Sequence, residues 1–183
     1  MSRLSDQLLA IHAGLHNTAI PHAFGGAIAL GYCTQEPRGT QDLDLNILLP
    51  STGADKALAA LPRSVEITER NRTQIANEGQ TRCWWATTPI DLFFNTTDFH
   101  STLLSEVRQV RFLGEDIPVL GCTQLAVFKV FFDRTKDWAD LETMHAAQTV
   151  DLYRLRAVVS DALGADDPRL RRLDRLARTG RAY

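Results

Sequence analysis

Thr40-Gln41-Asp42-Leu43-Asp44-Leu45-Asn46-Ile47-Leu48-Leu49 is the stretch whose reading decides the fold. From Asp42 onward polar and apolar residues alternate, which is the period of a strand buried on one face. Residues 42–49 are therefore predicted as a strand, ended by the turn residues at 50–53. Positions i and i+2 of a strand point to one side, about 6.5–7 Å apart. Asp42 and Asp44 then share a face, and Leu43 and Leu45 point into the core. Two carboxylates on a rigid face can hold a pair of divalent cations about 3.5–4 Å apart for in-line phosphoryl transfer. Oxygen ligands alone favour Mg2+. The same pattern also suits an ordinary amphipathic strand with two solvated aspartates. A third carboxylate usually completes such a site. Asp91, in Pro89-Ile90-Asp91-Leu92-Phe93-Phe94, lies on a second predicted strand and faces the same cations if that strand pairs beside the first.

Upstream, residues 20–24 read as a short strand running into Gly25-Gly26-Ala27, with helical composition over 27–32 and a loop over 34–40. Glycines let a backbone approach a phosphate closely, and a helix N-terminus adds N–H donors and a positive dipole end. A tight strand-to-helix turn without a ligand reads the same way. A first helix is expected over 4–17, where Leu8, Leu9, Ile11 and Leu15 recur. Downstream, a short helix is expected over 55–61, a strand over 65–68, and a loop or weak helix over 70–80. Strands over 82–87 and 90–94 join at Thr88-Pro89 as an antiparallel pair. A helix is expected over 99–107, and a hairpin over 108–113 and 117–120 turns at Gly114-Glu115-Asp116. Four helices follow, over 123–134, 137–148, 151–163 and 168–178.

The chain has 183 residues, 44 % hydrophobic and 23 % charged, which is ordinary for one globular domain and excludes global disorder. No apolar run approaches the roughly 18 residues of a spanning helix, and the opening MSRLSDQLLAIHAGLH is too polar for a signal peptide. A cytoplasmic protein with no membrane partner is expected. The net charge is −2, so there is no general field for nucleic acid. Arginines do cluster near the end, at Arg169, Arg171, Arg172, Arg175, Arg178 and Arg181. They suit phosphate-backbone contact, or equally a solvated helix face with ion pairs such as Arg171–Asp174. Cys33, Cys83 and Cys122 are odd in number with no ligand spacing, so reduced, mostly buried thiols are expected. His12 and His16 stand at i,i+4 with no third ligand in sequence, which fits a helix face better than a zinc site. Trp84 and Trp85 must face opposite sides of their strand, one of them in the core.

Lys129 sits inside the nearly all-round apolar run Leu125–Phe132 of a helix that should be buried. A buried ammonium needs a partner or loses its proton. A nucleotide triphosphate, an ion pair with Asp133, or snorkelling to solvent would each serve.

Taken together, Gly25-Gly26-Ala27 and Arg38-Gly39-Thr40-Gln41-Asp42-Leu43-Asp44-Leu45 resemble the nucleotidyltransferase superfamily, which has the palm-type core of DNA polymerase β. The resemblance implies an α+β fold: a mixed sheet flanked by helices over 1–120, followed by a helical subdomain over 121–183 packed on it. It further implies that Gly25 and Gly26 embrace the triphosphate and that Asp42, Asp44 and Asp91 hold Mg2+. Many members carry Ser after the first Gly, whereas here Gly26 stands there, so only backbone donors remain. Lys129, Arg134, Lys136-Asp137 and Asp140 resemble the K-x4-R-x-(K/R)-D-x-x-D signature of AbiEii-type nucleotidyltransferases, toxins of bacterial toxin–antitoxin pairs, and of the related MenT-type toxins. That likeness implies that Lys129 contacts phosphates, that Asp140 or Asp137 joins the active site, and that Thr40 lies close to the nucleotide.

The expected function is Mg2+-dependent transfer of NMP from an NTP to a hydroxyl, with Asp44 or Asp140 as base. The acceptor implied is a tRNA 3′ end, contacted by Arg169, Arg171, Arg172 and Arg175, with a cognate antitoxin as a further partner. A protein or an aminoglycoside is the alternative acceptor. A non-catalytic nucleotide- or protein-binding module of the same fold is the alternative class.

Overall fold

The computed structural model describes residues 3–37, 39–96 and 106–183. Arg38 and most of the helix expected over 99–107 lie outside them. The chain forms two compact units, one of Met1–Ile28 with Gly39–Val119 and one of Ala29–Arg38 with Leu120–Tyr183.

The first unit is built on a six-stranded mixed sheet. Its strands are β1 (His22–Phe24), β2 (Leu43–Pro50), β3 (Gln80–Trp85), β4 (Thr88–Asn95), β5 (Arg108–Phe112) and β6 (Glu115–Val119), in the order β3-β4-β2-β1-β6-β5. β2 runs antiparallel to β1 and parallel to β4, β1 runs parallel to β6, and β3–β4 and β5–β6 are antiparallel hairpins. The alternation of β2 does what its period requires: Leu43, Leu45 and Ile47 are buried, and Asp44 on the other face is half-buried. Helices α1 (Leu4–Asn17), α3 (Ala54–Ala60) and α4 (Glu69–Glu78) belong to this unit, as does the start of α2 (Gly26–Thr34). α1 buries Leu8, Ile11 and Leu15, positions one helical turn apart.

Several local expectations change. Residues 65–68 make only an isolated bridge, Glu66 to Trp84, and no strand. The polar segment after them is the full helix α4, because Thr68 and Asn71 cap it reciprocally and Gly79, at φ 68°, ends it. Both hairpin turns lie elsewhere. β3 and β4 turn through Ala86-Thr87, with Ala86 at φ 52°, and β5 and β6 turn through Leu113-Gly114, at φ 48° and 95°. Neither tryptophan is fully in the core: burial alternates along β3, with Thr81 and Cys83 buried, Trp84 43 % exposed on the other face, and Trp85 half-buried at the end of the strand.

His12, His16 and His22 line a cavity of about 780 Å³ together with Arg111, Glu115 and Asp116. The Ile20 carbonyl accepts from His22 Nδ1 at 2.8 Å, which fixes the proton there. His12 Nδ1 then donates to His22 Nε2 at 3.0 Å. Burial pushes His22 down to about 4, the Ile20 bond opposes this, and the nearby His12 and His16 add to the depression. Below the ordinary histidine value of 6.5 the unfolded chain therefore binds a proton that folded His22 refuses. This contribution is complete above about pH 6.5 and is lost as pH falls towards 4. Between pH 7.5 and pH 5 the wild type should lose about 2 kcal/mol more unfolding free energy than a His22→Gln variant. Denaturant melts at the two pH values measure it, and equal losses in the two proteins would remove His22 from the account.

The second unit contains the rest of α2 with α5 (Cys122–Phe132), α6 (Thr135–Ala146), α7 (Leu152–Leu163) and α8 (Pro168–Thr179). Here the cysteine expectation is corrected. Cys33 and Cys122 form a disulfide with Cα atoms 5.6 Å apart, although 89 residues separate them in sequence. Linear spacing carries no sign of this, because α2 and α5 meet only in the folded unit. Cys83 alone stays a free, buried thiol, and burial pushes it up to about 11. Among the described residues no helix is long and apolar enough to cross a membrane.

Candidate active site

The parallel pairing of β2 with β4 places Asp44 directly opposite Asp91. Neighbouring strands lie about 4.8 Å apart and paired residues share a face, so these carboxylates adjoin, with Asp42 two residues before Asp44. The antiparallel partner β3 sets Arg82 opposite Asp91. A row of Asp44, Asp91 and Arg82 thus crosses three adjacent strands. Arg82 holds Asp91 in a two-pronged bond, Nε to Oδ1 at 2.7 Å and Nη2 to Oδ2 at 2.6 Å. Its side chain is half exposed, and that of Asp91 is 19 % exposed. These bonds, and the charges of Asp91, Asp42 and Asp44, raise the guanidinium above its already high ordinary value.

The glycine turn is folded onto the same carboxylate. The Gly25 N–H donates to the Asp44 carbonyl at 2.8 Å, so it is not available to a phosphate. Gly26 has φ +50°, and a Cβ there would lie 1.7 Å from Asp44 Oδ2 and 2.5 Å from its Cγ. Glycine is required at 26 both for its dihedral and for room, and any side chain would drive Asp44 from its place. The N–H groups left for an anion are those of the first turn of α2, from Gly26 onward. The Thr40 hydroxyl donates to Asp42 Oδ1 in a short contact, so Thr40 orients the first carboxylate.

Among the described residues no three His, Cys, Asp or Glu side chains converge closely enough to hold a metal ion as they stand. The causes are visible in the first unit: Asp42 is turned to Thr40 and Asp91 to Arg82. The donor set itself fits a hard cation. It is all oxygen, and Asp44 and Asp91 are register partners on adjacent strands.

In the second unit Lys129 is buried, and its partners belong to the chain. Nζ donates to Asp140 Oδ2 at 2.6 Å and lies 3.9 Å from Asp137 Oδ1. Of the partners open to Lys129 from sequence, Asp133 is not the one it takes. α5 ends at Phe132, Asp133 takes φ 53°, and its carboxylate accepts from Trp138 Nε1 at 2.6 Å and Arg172 Nη1 at 2.7 Å. Asp137 accepts from Arg134 Nε at 2.6 Å and Nη2 at 3.1 Å. Lys129, Arg134, Asp137 and Asp140 therefore tie the α5–α6 junction together. The arginine cluster divides. Arg169 pairs with Asp167, and Arg172 bonds Asp133 and stacks between Trp138 and Tyr183, so both have partners within the unit. Arg171 and Arg175 are exposed on α8, and the pairing of Arg171 with Asp174 gives way to Arg156–Asp174 at 2.6 Å.

Arg82 is the site residue that sequence reasoning missed. A hairpin turning at Thr88-Pro89 puts Arg82 out of register with Asp91, whereas a two-residue turn at Ala86-Thr87 brings them opposite. Alanine at a positive φ lacks the glycine or asparagine signal that marks such a turn.

No family model matches the chain, and no curated protein sequence matches it. Solved structures do. A crystal structure of ANT(2'')-Ia in complex with adenylyl-2''-tobramycin superposes with TM-score 0.58 at 11 % identity, over 86 % of this chain and 95 % of that one. A solution structure of the antibiotic-resistance factor ANT(2'')-Ia gives TM-score 0.55 at 13 % identity, over 96 % and 91 %. An antigenic nucleotidyltransferase-like protein from Paracoccidioides brasiliensis gives 0.51 at 14 %, over 91 % and 93 %. Likeness at this identity is one of fold: the chain has a nucleotidyltransferase-type fold.

Proposed function

We propose that the chain is a Mg2+-dependent nucleotidyltransferase. The observation that carries this reading is the Asp44–Asp91 register pair lying directly against the Gly25-Gly26 turn. Asp42, Asp44 and Asp91 would hold Mg2+, which supplies stabilisation of charge on the α-phosphate and on the leaving pyrophosphate. The first-turn amides of α2 bind phosphate oxygens, and Thr40 keeps Asp42 oriented. The acceptor oxygen attacks the α-phosphorus and the bond to the bridging oxygen of pyrophosphate breaks. The acceptor proton passes to a carboxylate, for which Asp44 is the candidate on the first unit. The signature resemblance assigns Lys129 to the phosphates, which requires it to exchange Asp140 for the nucleotide.

For the acceptor we take a tRNA 3′ end, with the chain acting as the toxin of a toxin–antitoxin pair. The Lys129-to-Asp140 signature supports this, and Arg171 and Arg175 remain as exposed cations for RNA. NTPs and tRNA place this activity in the cytoplasm. The Cys33–Cys122 disulfide is at odds with that location, since disulfides are rare there. A second reading, transfer to an aminoglycoside hydroxyl, is favoured by the fold likeness to a protein bound to adenylyl-2''-tobramycin and by the internal pairing of Arg169 and Arg172. The deciding experiment incubates the chain with Mg2+, each α-labelled NTP, and either total tRNA or tobramycin. Label on tRNA is the expected result, and label on tobramycin selects the second reading. Absence of NTP binding would reduce the chain to a non-catalytic module.

A further inference from the structure

We propose that Arg82 is the resident counter-ion of the carboxylate seat: it occupies Asp91 when no cation is bound and sets, by competition, how tightly that seat takes a divalent cation. The inference rests on the functional reading above and concerns a residue which that reading leaves without a role.

Asp44 and Asp91 bring two negative charges together as register partners on adjacent strands, and Asp42 lies just before the first of those strands. Without a cation such a group is held together against its own repulsion. Arg82 answers that repulsion in the structure as it stands. Its guanidinium engages both oxygens of Asp91, the geometry in which arginine binds carboxylate most strongly. Its position follows from the sheet, because Arg82 and Asp91 are register partners across a two-residue turn. Both oxygens that Asp91 would offer a metal are in use, which is one of the two reasons that the carboxylates do not converge. The same residue is equipped to leave. β3 is an edge strand and the Arg82 side chain is 52 % exposed, so it can swing into solvent without opening the core. A purely structural cross-strand pair would serve equally well on any face. This one sits on the carboxylate that the cation needs.

The test is Mn2+ binding to the full chain without nucleotide, read from loss of the free-ion electron paramagnetic resonance signal. The proteins are wild type, Arg82→Gln, Arg82→Lys and Asp44→Asn. Arg82→Gln removes the competitor and should tighten Mn2+ about tenfold. Arg82→Lys keeps the charge but loses the two-pronged grip, and should fall between Arg82→Gln and wild type. Asp44→Asn should lose the bound ion. Unchanged or weaker Mn2+ binding in Arg82→Gln, with Asp44→Asn still deficient, overturns the role of Arg82 and leaves the carboxylate seat standing. Equal binding in wild type and Asp44→Asn removes the seat itself and the functional reading with it. Thermal melts of the four proteins separate these outcomes from misfolding. Should Arg82→Gln fail to fold, Arg82→Lys alone decides, because tightening relative to wild type supports the proposal and its absence overturns it.

Discussion

Replacing Asp44 with asparagine is expected to lower kcat/KM for nucleotidyl transfer by about 10³-fold or more, with little change in thermal stability. The substitution keeps the shape of the side chain beneath Gly26, where a Cβ would already collide with it. Asp44 is only half-buried, so the amide leaves no charge stranded in the core. What it removes is the anionic oxygen adjoining Asp91 on the neighbouring strand. A 10³-fold loss corresponds to about 4 kcal/mol of transition-state stabilisation. That is too much for a misplaced solvent-facing aspartate and is in the range expected of a metal ligand. Transfer of α-labelled NMP at saturating acceptor, beside a thermal melt, measures both quantities. Activity within about tenfold of wild type would mean that the Asp44–Asp91 pair is not the reacting centre.

The second large effect is on stability. Lys129→Met should destabilise the chain by about 3–5 kcal/mol, because it removes one member of a buried ion pair and its 2.6 Å hydrogen bond to Asp140. For a protein of this size that is a Tm lowered by roughly 6–20 °C. The double variant Lys129→Met/Asp140→Leu should recover most of the loss, since it removes both charges and fills the space with apolar atoms. Asp137 keeps Arg134 in either case. Thermal or urea melts of the two single variants and the double variant give the coupling energy. A coupling below about 1 kcal/mol would show that the 2.6 Å pair contributes little beyond a surface contact. Should the double variant be stable and inactive in transfer, the requirement for the Lys129–Asp140 pair in catalysis is separated from its part in folding.

Most of the secondary structure was legible because it depends on near neighbours. The alternation from Asp42, the apolar positions of α1, and the four C-terminal helices follow from periods of 2 and 3.6 residues, and the structure has those elements within a residue or two. Exceptions arose where a local cue was absent or misleading. The polar residues 70–80 leave a loop and a weak helix equally open, and the Thr68–Asn71 cap and Gly79 decide for a helix. Ala86 gives no turn signal, so the β3–β4 turn was placed two residues late. That small slip had a large consequence, because in a hairpin the turn sets every pairing. It hid the Arg82–Asp91 contact altogether.

By itself the sequence determined which face of β2 carries the carboxylates, that a glycine turn precedes them, and that Lys129 lies in a buried helix, all consequences of short-range pattern. Only the tertiary structure decided whom these groups meet. Parallel pairing made Asp91 the neighbour of Asp44, and the close approach of Gly26 made glycine obligatory there. The break at Asp133 let α6 turn Asp140 back onto Lys129, and helix packing in the second unit joined Cys33 to Cys122. The physical reason is the same in each case. Contacts between residues far apart in the chain follow from register and packing, which depend on the whole set of apolar side chains seeking burial together, and no local window of sequence contains that set.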